Sequence, residues 1–573
     1  MDLAISLVLT TLELNLPKVN LGVGTSRGSL HLSKFLGLLL LQYSLLKFYR
    51  VYLYPRFVSP LRSLPGPQGG NVLLGQELNK FRADSPIALQ LAWSRRWPDA
   101  PFIRYLSVAG REALIVNSLA AHKAVLQARA YDFVKTPFFS RLAGEITGTG
   151  LLFAEGEDHR RQRRLLAGPF SVPNMRKILP VFRKKAESLS RDFAELLGDR
   201  PFASVEVVDA LSKSTMDTIG VTILGIELGT ISPSTTHASM GFQELYGRVL
   251  HQGPLGQLIS VVNAFVPIRG FVPLEANRKF IDANKSLRGM LREIIEKRRA
   301  DLRDGTFGKE TGGESRDLLT YMLEEADLQR RQTGKEPWTV EEIIGHLLNF
   351  TSAGHESTAN TIAWALYVLS TRHEIQDLLR AEIVAFLKSD PTPTYEEITG
   401  LPYLNNFVRE VLRLYSPSIM SPRQASRDLT IEGVYIPKGT QIDLHMPLLH
   451  HNQGVWGPDA SVFSPERWDA LAGGSASPYA FEAFIQGPRM CPGKNFALVE
   501  IKAVLVELVS RWRFVGVERW DGAVGKEQGG GGGERARDLL VRGEEAVGRG
   551  VKLANPSLTY RPAGGLVVRF AKL

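Results

Sequence analysis

The chain has 573 residues, 44% hydrophobic and 22% charged, with a formal net charge of +10. That balance belongs to a globule with a sizeable core and excludes a disordered chain. A single cysteine excludes any internal disulfide and any zinc site built from several thiolates, and it fits a reducing compartment.

The first apolar stretch, residues 3–12, is too brief to cross a bilayer and is expected only to graze one. Gly24, Ser26 and Gly28 spell G-x-S-x-G, but without the strand-then-helix setting of a hydrolase elbow, so no serine nucleophile is read there. Residues 35–46 (FLGLLLLQYSLL) are the most apolar run and continue less purely through Lys47 and Arg50 to Tyr54. They are expected to form a membrane anchor, the alternative being a buried core helix. Crossing a bilayer takes about 20 apolar residues, so Lys47 and Arg50 would have to snorkel or the segment lie partly in the interface. No small-residue cleavage site follows, which argues against a secretory signal. Lys18, Arg27 and Lys34 precede the run and Lys47, Arg50, Arg56 and Arg62 follow it, so the charge asymmetry is slight.

Residues 61–70 (LRSLPGPQGG) form a stiff, helix-breaking stretch and read as a hinge. The expected organisation is an anchor region over 1–60 with its apolar core at 35–54, the hinge, and one large domain over 71–573. Helical periodicity dominates that domain to about residue 515, with strand-like pieces at FIRYLSV near 105 and LTIEGVYIPKGTQIDL near 435. The fold class is therefore mainly α with small β-sheets; no βαβ rhythm and no repeat shows. The basic cluster HRRQRR at 159–164 reads as a solvated helix face, and no basic run is long enough for a nucleic-acid arm. Residues 518–550, with five consecutive glycines at 529–533, read as a flexible surface insertion, after which LTYRPAGGLVVRF is expected to form a hairpin.

The chemistry concentrates in FIQGPRMCPG, residues 484–493. A lone cysteine is ordinarily a small buried hydrophobe. Here Pro492 suits the first position of a helix, and KNFALVEIKAVLVELV follows with helical periodicity, so Cys491 is expected at a helix N-terminus that favours a thiolate. Gly487 and Gly493 let the backbone approach a flat ligand, and Arg489 supplies a fixed cation.

The spacing F-x-x-G-x-R-x-C-x-G resembles the haem-binding loop of the cytochrome P-450 family. By that resemblance the fold is the cytochrome P-450 fold with one large haem domain, and the cofactor is haem b. Cys491 is the proximal iron ligand, whose electron donation favours O–O cleavage; Phe484 shields it, and Arg489 pairs with a haem propionate. Glu410 and Arg413, three apart on one helix face, would alone read as a surface ion pair. With Phe463-Ser-Pro-Glu-Arg467-Trp468 at the family's P-E-R-F distance, the resemblance implies a buried structural triad of Glu410, Arg413 and Arg467.

In the helical pattern from 340 to 370, Ala353-Gly354-His355-Glu356-Ser357-Thr358 looks like the family's oxygen-binding helix, where an acid and an alcohol relay protons. Gly354 costs a helix about 1 kcal/mol, and a ligand close to the backbone would explain it. Ser357 or Thr358 can bond back one turn and bend the helix. Ser357 stands where the family usually has Thr, and Glu356 is the acid. The family's W-x-x-x-R appears as His159 and Arg163, and Arg423 matches a further propionate contact; each arginine could instead be simply solvated.

The resemblance runs from residue 64 to the C-terminus, apart from 518–550, and is closest to fungal microsomal members. It implies a monooxygenase that inserts one atom of O2 into an apolar small molecule, a fungal secondary metabolite by family habit. Electrons are expected from NADPH through a flavoprotein reductase; Arg160, Arg161, Arg164 and Lys494 could form an electropositive face for it, the alternative being scattered solvated charge. The expected address is the endoplasmic reticulum membrane with the catalytic domain cytosolic, leaving the sequons at Asn284 and Asn349 unmodified. The pocket is expected to draw on residues 133–150, Asn349, Phe350, Ala353, Ile419 and Met420, the alternative for each being plain core packing. Competing readings are a haem-thiolate isomerase, dehydratase or peroxygenase that needs no reductase, and a non-catalytic haem-binding protein. His355-Glu356 and His373-Glu374 lack the second histidine of a zinc hydrolase motif.

Overall fold

The computed structural model describes residues 26–573 except residue 84 and segments 231–236, 307–316, 390–391, 520–550, 555–558 and 563–564. The expected insertion thus falls almost wholly outside the described residues, as does the apolar stretch 3–12.

The principal helices are α1 (Ser26–Phe48), α2 (Gly156–Leu165), α3 (Val172–Leu197), α4 (Val207–Ile219), α5 (His237–Leu250), α6 (Gly253–Phe265), α7 (Glu275–Arg303), α8 (Val340–Thr371), α9 (Pro402–Leu414) and α10 (Lys494–Arg511). Helix α8 is the axis of the molecule. A capping box starts it: Thr339 Oγ1 accepts from the Glu342 amide at 3.2 Å, and the Glu342 carboxylate accepts from the Thr339 amide at 2.7 Å. Every residue from 359 to 369 is buried, the all-round apolar character of a helix inside a core.

Two hydrophobic clusters grow on α8. One joins its second half (Trp364, Leu366) to Leu189 and Phe193 of α3, Phe407 and Val411 of α9, and Leu505 and Val509 of α10. The other joins its first half (Ile343, Leu347) to Phe182 of α3, Ile219 of α4, Phe242 and Tyr246 of α5, Leu287 of α7 and Phe496 of α10. In the segment between, residues 351–358, Ala353 is exposed and Ser352, Gly354, Glu356 and Ser357 are only partly buried, while Thr351, His355 and Thr358 are buried.

The strands are β1 (Phe102–Leu106), β2 (Glu112–Val116), β3 (Phe133–Lys135), β4 (Ala203–Glu206), β5 (Ser421–Ala425), β6 (Leu429–Ile431), β7 (Val434–Ile436), β8 (Gln441–Leu444), β9 (Trp512–Arg519), β10 (Val551–Ala554), β11 (Thr559–Pro562) and β12 (Val567–Lys572). They form a five-stranded sheet in the order β1-β2-β8-β5-β3, a three-stranded sheet β4-β12-β9, and the pairs β6-β7 and β10-β11. A mainly α fold with small sheets is what the sequence led us to expect.

Three expectations need correction. LTYRPAGGLVVRF is not a hairpin: β11 pairs with β10, while β12 crosses to β4 and β9. Helix α10 begins at Lys494 with Gly493 as its cap, so Pro492 precedes the helix rather than opening it. The third concerns the transmembrane helix, since no described helix is long and apolar enough to cross a membrane. The apolar run lies in α1, but Lys34 and Lys47 bracket it and Arg50 follows in the wider helical turns of Tyr49–Val58. The segment read as a hinge is docked on the sheet: Leu61 is buried and the Arg104 amide donates to the Pro65 carbonyl at 2.9 Å.

Candidate active site

The loop bearing Cys491 folds back on itself. The Cys491 amide donates to the Phe484 carbonyl at 2.8 Å, and that of Met490 to Gly487 at 3.0 Å. Ile485 (φ +56°) and Gly487 (φ +75°) take left-handed conformations. A Cβ at 487 would lie 2.1 Å from the Leu126 carbonyl oxygen, so Gly487 serves this turn's docking on the residues around Leu126. At Gly493 a Cβ would meet only the Cys491 sulfur, at 3.9 Å. Burial pushes the Cys491 thiol pKa up, while the Gly493 amide, Arg163 and Lys494 pull it down. The helix end alone therefore does not make the thiolate; a coordinated metal ion would.

Five basic side chains converge beside this loop. Arg423 is buried on β5, its pKa lowered to about 10 by burial and then by Arg489. Burial, Arg423 and Arg489 likewise push Lys135 down. Arg163 on α2 is lowered by burial and lies close enough to Cys491 to feel its charge. Arg489 donates to the Ala154 carbonyl at 3.1 Å and pairs with Glu155, yet its buried Nε has no partner among the described residues. His159, lowered to about 4 by burial and then by Arg489, stays neutral and meets the Tyr131 hydroxyl at 3.2 Å. Glu155, which also accepts from the Lys135 amide at 2.8 Å, is the carboxylate set among these cations. So much partly desolvated positive charge calls for added anions, and two haem propionates fit it. Lys135, Tyr131 and Glu155 were not singled out from the sequence; the first two are carried in by the β3 region, far from any motif.

The structural triad is assembled, with additions. Glu410 and Arg413 on α9 are both fully buried and doubly hydrogen-bonded, at 2.7 and 2.9 Å. Arg413 also donates to the His450 and Val462 carbonyls, at 2.7 and 3.2 Å. Arg467 reaches Glu410 at 3.4 Å but Asp459 at 2.7 Å. Trp468 donates its indole N–H to Glu410 at 3.0 Å, a bond that phenylalanine at this position could not make.

On α8, Ala353 is exposed, and Ser357 one turn on bonds back to its carbonyl at 2.7 Å. Thr358 is buried, its hydroxyl unpartnered among the described residues, so of the two alcohols Ser357 shares the accessible face with Ala353. Glu356 accepts from the Thr559 hydroxyl of β11 at 2.8 Å. His355 donates to the Thr351 carbonyl at 2.9 Å and packs edge-on against Tyr246. Gly354 has a packing neighbour of its own. A Cβ there would lie 2.5 Å from Ile219 Cδ1, the end of a side chain of α4.

Asn349 and Phe350 belong to the packing: Asn349 donates to the Thr147 carbonyl at 2.7 Å and accepts from the Leu152 amide at 3.0 Å, and Phe350 stacks near Phe170. A buried Asn349 offers no glycan site on either side of a membrane. Arg160 is paired with Glu157, and Arg161 with Asp158 and Glu342, which leaves exposed Arg164 as the freer charge of that cluster.

The family model for cytochrome P450 matches residues 101–520. The chain is similar to "cytochrome P450 monooxygenase sphH" of Aspergillus fumigatus, 29% identical over 478 residues, covering 81% of this chain and 85% of the relative. It is also 29% identical over 491 residues to "cytochrome P450 monooxygenase 205" of Postia placenta (80% and 86% covered), and 29% over 500 residues to "cytochrome P450 monooxygenase buaD" of Petromyces alliaceus (84% and 86%). The cysteine loop, the cation cradle and these relatives agree: the chain belongs to the cytochrome P450 family, whose members hold haem b by a cysteine thiolate, and is one of its monooxygenases.

Proposed function

We propose that the protein inserts one oxygen atom of O2 into an apolar small molecule of fungal secondary metabolism, using NADPH electrons delivered by a flavoprotein reductase. The observation that carries this reading is the distal face of α8, where Ser357 turns to the accessible side beside Ala353 while Glu356 is held next to it. Bound haem supplies the activation of oxygen, with thiolate donation favouring O–O cleavage. The protein's own groups do the rest. Cys491 would ligate the iron, and Arg163, Arg423, Arg489 and His159, with Lys135, would hold the propionates. Phe484 shields the sulfur. Ser357 places a hydroxyl for proton transfer, and Glu356 hands protons on from solvent. Ala353, Ile419 and Met420 line the substrate side.

The protein also rests, on this reading, against the cytosolic face of the endoplasmic reticulum membrane through an interfacial rather than a spanning contact. Support comes from two exposed apolar runs: Leu40, Leu41 and Leu45 on α1, and Leu258, Phe265 and Phe271 on and after α6.

The test is to supply the haem-loaded protein with a purified reductase, NADPH and an extract of apolar host metabolites, following spin-state shifts and NADPH use. Substrate-dependent consumption with oxygenated product is expected. Product formed without NADPH, or a haem that accepts no electrons, would overturn the reading.

A further inference from the structure

The carboxylate of Glu356 is fixed from outside its own helix. Its Oε2 accepts from Thr559 Oγ1 at 2.8 Å, a bond spanning 203 positions of sequence. Thr559 is in turn anchored on its other side. It forms a backbone bridge with Ser418, the Tyr560 amide donates to the Pro417 carbonyl at 2.7 Å, and Tyr560 is buried. Ser416 Oγ steadies that turn through the Ser418 carbonyl at 3.0 Å. Ile419 and Met420 come directly after Ser418. One short strand thus links the acid on α8 to the segment placed on the substrate side.

A partly buried glutamate has three side-chain torsions to lose, and a proton donor misplaced by an ångström loses much of its effect. A hydroxyl donor removes that freedom. We infer that Thr559 is a positioning residue for Glu356, holding its carboxylate in the orientation used for proton delivery and tying that orientation to the Pro417–Met420 side of the pocket. This rests on the reading of Glu356 as the acid of the distal pair.

The substrate being unidentified, the experiment uses dioxygen alone as oxidant. Haem-loaded full-length protein is supplied with NADPH and reductase in air, and peroxide is measured against NADPH. Reduction to peroxide takes one NADPH and one proton per O2; reduction to two waters takes two of each. The second route needs more protons delivered to the same oxygen, so the ratio reads delivery.

Thr559→Val, which keeps the shape and removes the hydroxyl, should raise peroxide per NADPH about twofold or more, while Thr559→Ser restores the wild-type ratio. Combined with Glu356→Ala, Thr559→Val should add nothing, since both act on one group. An unchanged ratio in Thr559→Val, or an effect that persists undiminished in Glu356→Ala, overturns the inference. A readout without turnover stands beside it: Glu356→Ala should speed amide hydrogen exchange over residues 559–561 about threefold or more, by freeing the strand. Exchange that does not change also overturns it. A wild-type protein that takes no electrons from the reductase would sink the monooxygenase reading, and the exchange result would then decide the placement of Thr559 alone.

Discussion

Arg413 grips Glu410 through two hydrogen bonds, Nε to Oε2 at 2.9 Å and Nη2 to Oε1 at 2.7 Å, with neither side chain reaching solvent. Removing Glu410 leaves Arg413 a buried charge without its counterion, and removing Arg413 leaves Glu410 with the longer ion pair to Arg467 at 3.4 Å; a broken buried pair costs about 3–5 kcal/mol. Glu410→Ala and Arg413→Ala should each unfold at markedly lower urea and retain little haem. Arg467→Ala should cost about 1 kcal/mol or less, because its closer partner is Asp459, which is itself half-exposed. Trp468→Phe removes one donor to Glu410 and should cost about 1 kcal/mol. Urea midpoints with haem content measured alongside would check the order.

Cys491→Ser should abolish the red-shifted carbon-monoxide spectrum of thiolate-ligated haem. The cation cradle does not depend on the sulfur, so some haem should still bind. An unchanged spectrum in the serine variant would remove Cys491 as the ligand.

The motifs around Cys491 and Glu410 were legible because their residues lie close together in sequence and each spacing is set by one turn or one helix face. What was missed is long-range. Thr559 meets Glu356 only because β11 is drawn to the Pro417–Ser418 turn, and Lys135 meets Arg423 only because β3 pairs with β5. No periodicity announces such pairings. Gly354 shows the same limit: a helical glycine signals a close approach, but not whether a ligand or Ile219 makes it. The hairpin after residue 558 failed because alternation marks a strand and not its partner, and β12 found a buried place between β4 and β9.

Buried histidines set an acid limit, His445 and His451 among them beside His159, His346 and His450. Burial first of all lowers His445 to about 4 and His451 to about 3, from an ordinary 6.5. Both are neutral when folded, so below pH 6.5 the unfolded chain binds more protons and stability falls with pH. Their contribution is complete above 6.5 and lost progressively toward 4 and 3. At pH 5.5 each should cost about 1.4 kcal/mol. Urea midpoints between pH 7.5 and 5.5 should drop, and the drop should be shallower in His451→Gln; an equal drop would assign the acid lability elsewhere.

Electron delivery depends on which charges are free to meet a partner. Arg160 and Arg161 are taken up by Glu157, Asp158 and Glu342. Charge reversal at Arg164 together with Lys494 should therefore slow reduction by the reductase and weaken its salt dependence, whereas Arg160→Glu should do so less. Stopped-flow reduction at two ionic strengths measures both.

The last expectation concerns the two alcohols of the distal helix. Neighbouring side chains on a helix point about 100° apart, so only one can face the substrate side. Ser357 shares the exposed face with Ala353, and its hydroxyl bonds back to that residue's carbonyl at 2.7 Å; Thr358 is turned into the packing. A positioned proton-transfer group typically contributes about 10²-fold or more to its step. Ser357→Ala should keep its haem yet divert most reducing equivalents to peroxide, and Thr358→Ala should divert far fewer. Ser357→Thr adds a β-methyl that restricts the rotamer and should couple at least as well as the wild type. NADPH consumed against product formed, for the three variants side by side, decides it. If Thr358→Ala proves the more uncoupled, Thr358 is the alcohol that serves oxygen, and the face of α8 turned toward the haem lies one residue further along the chain.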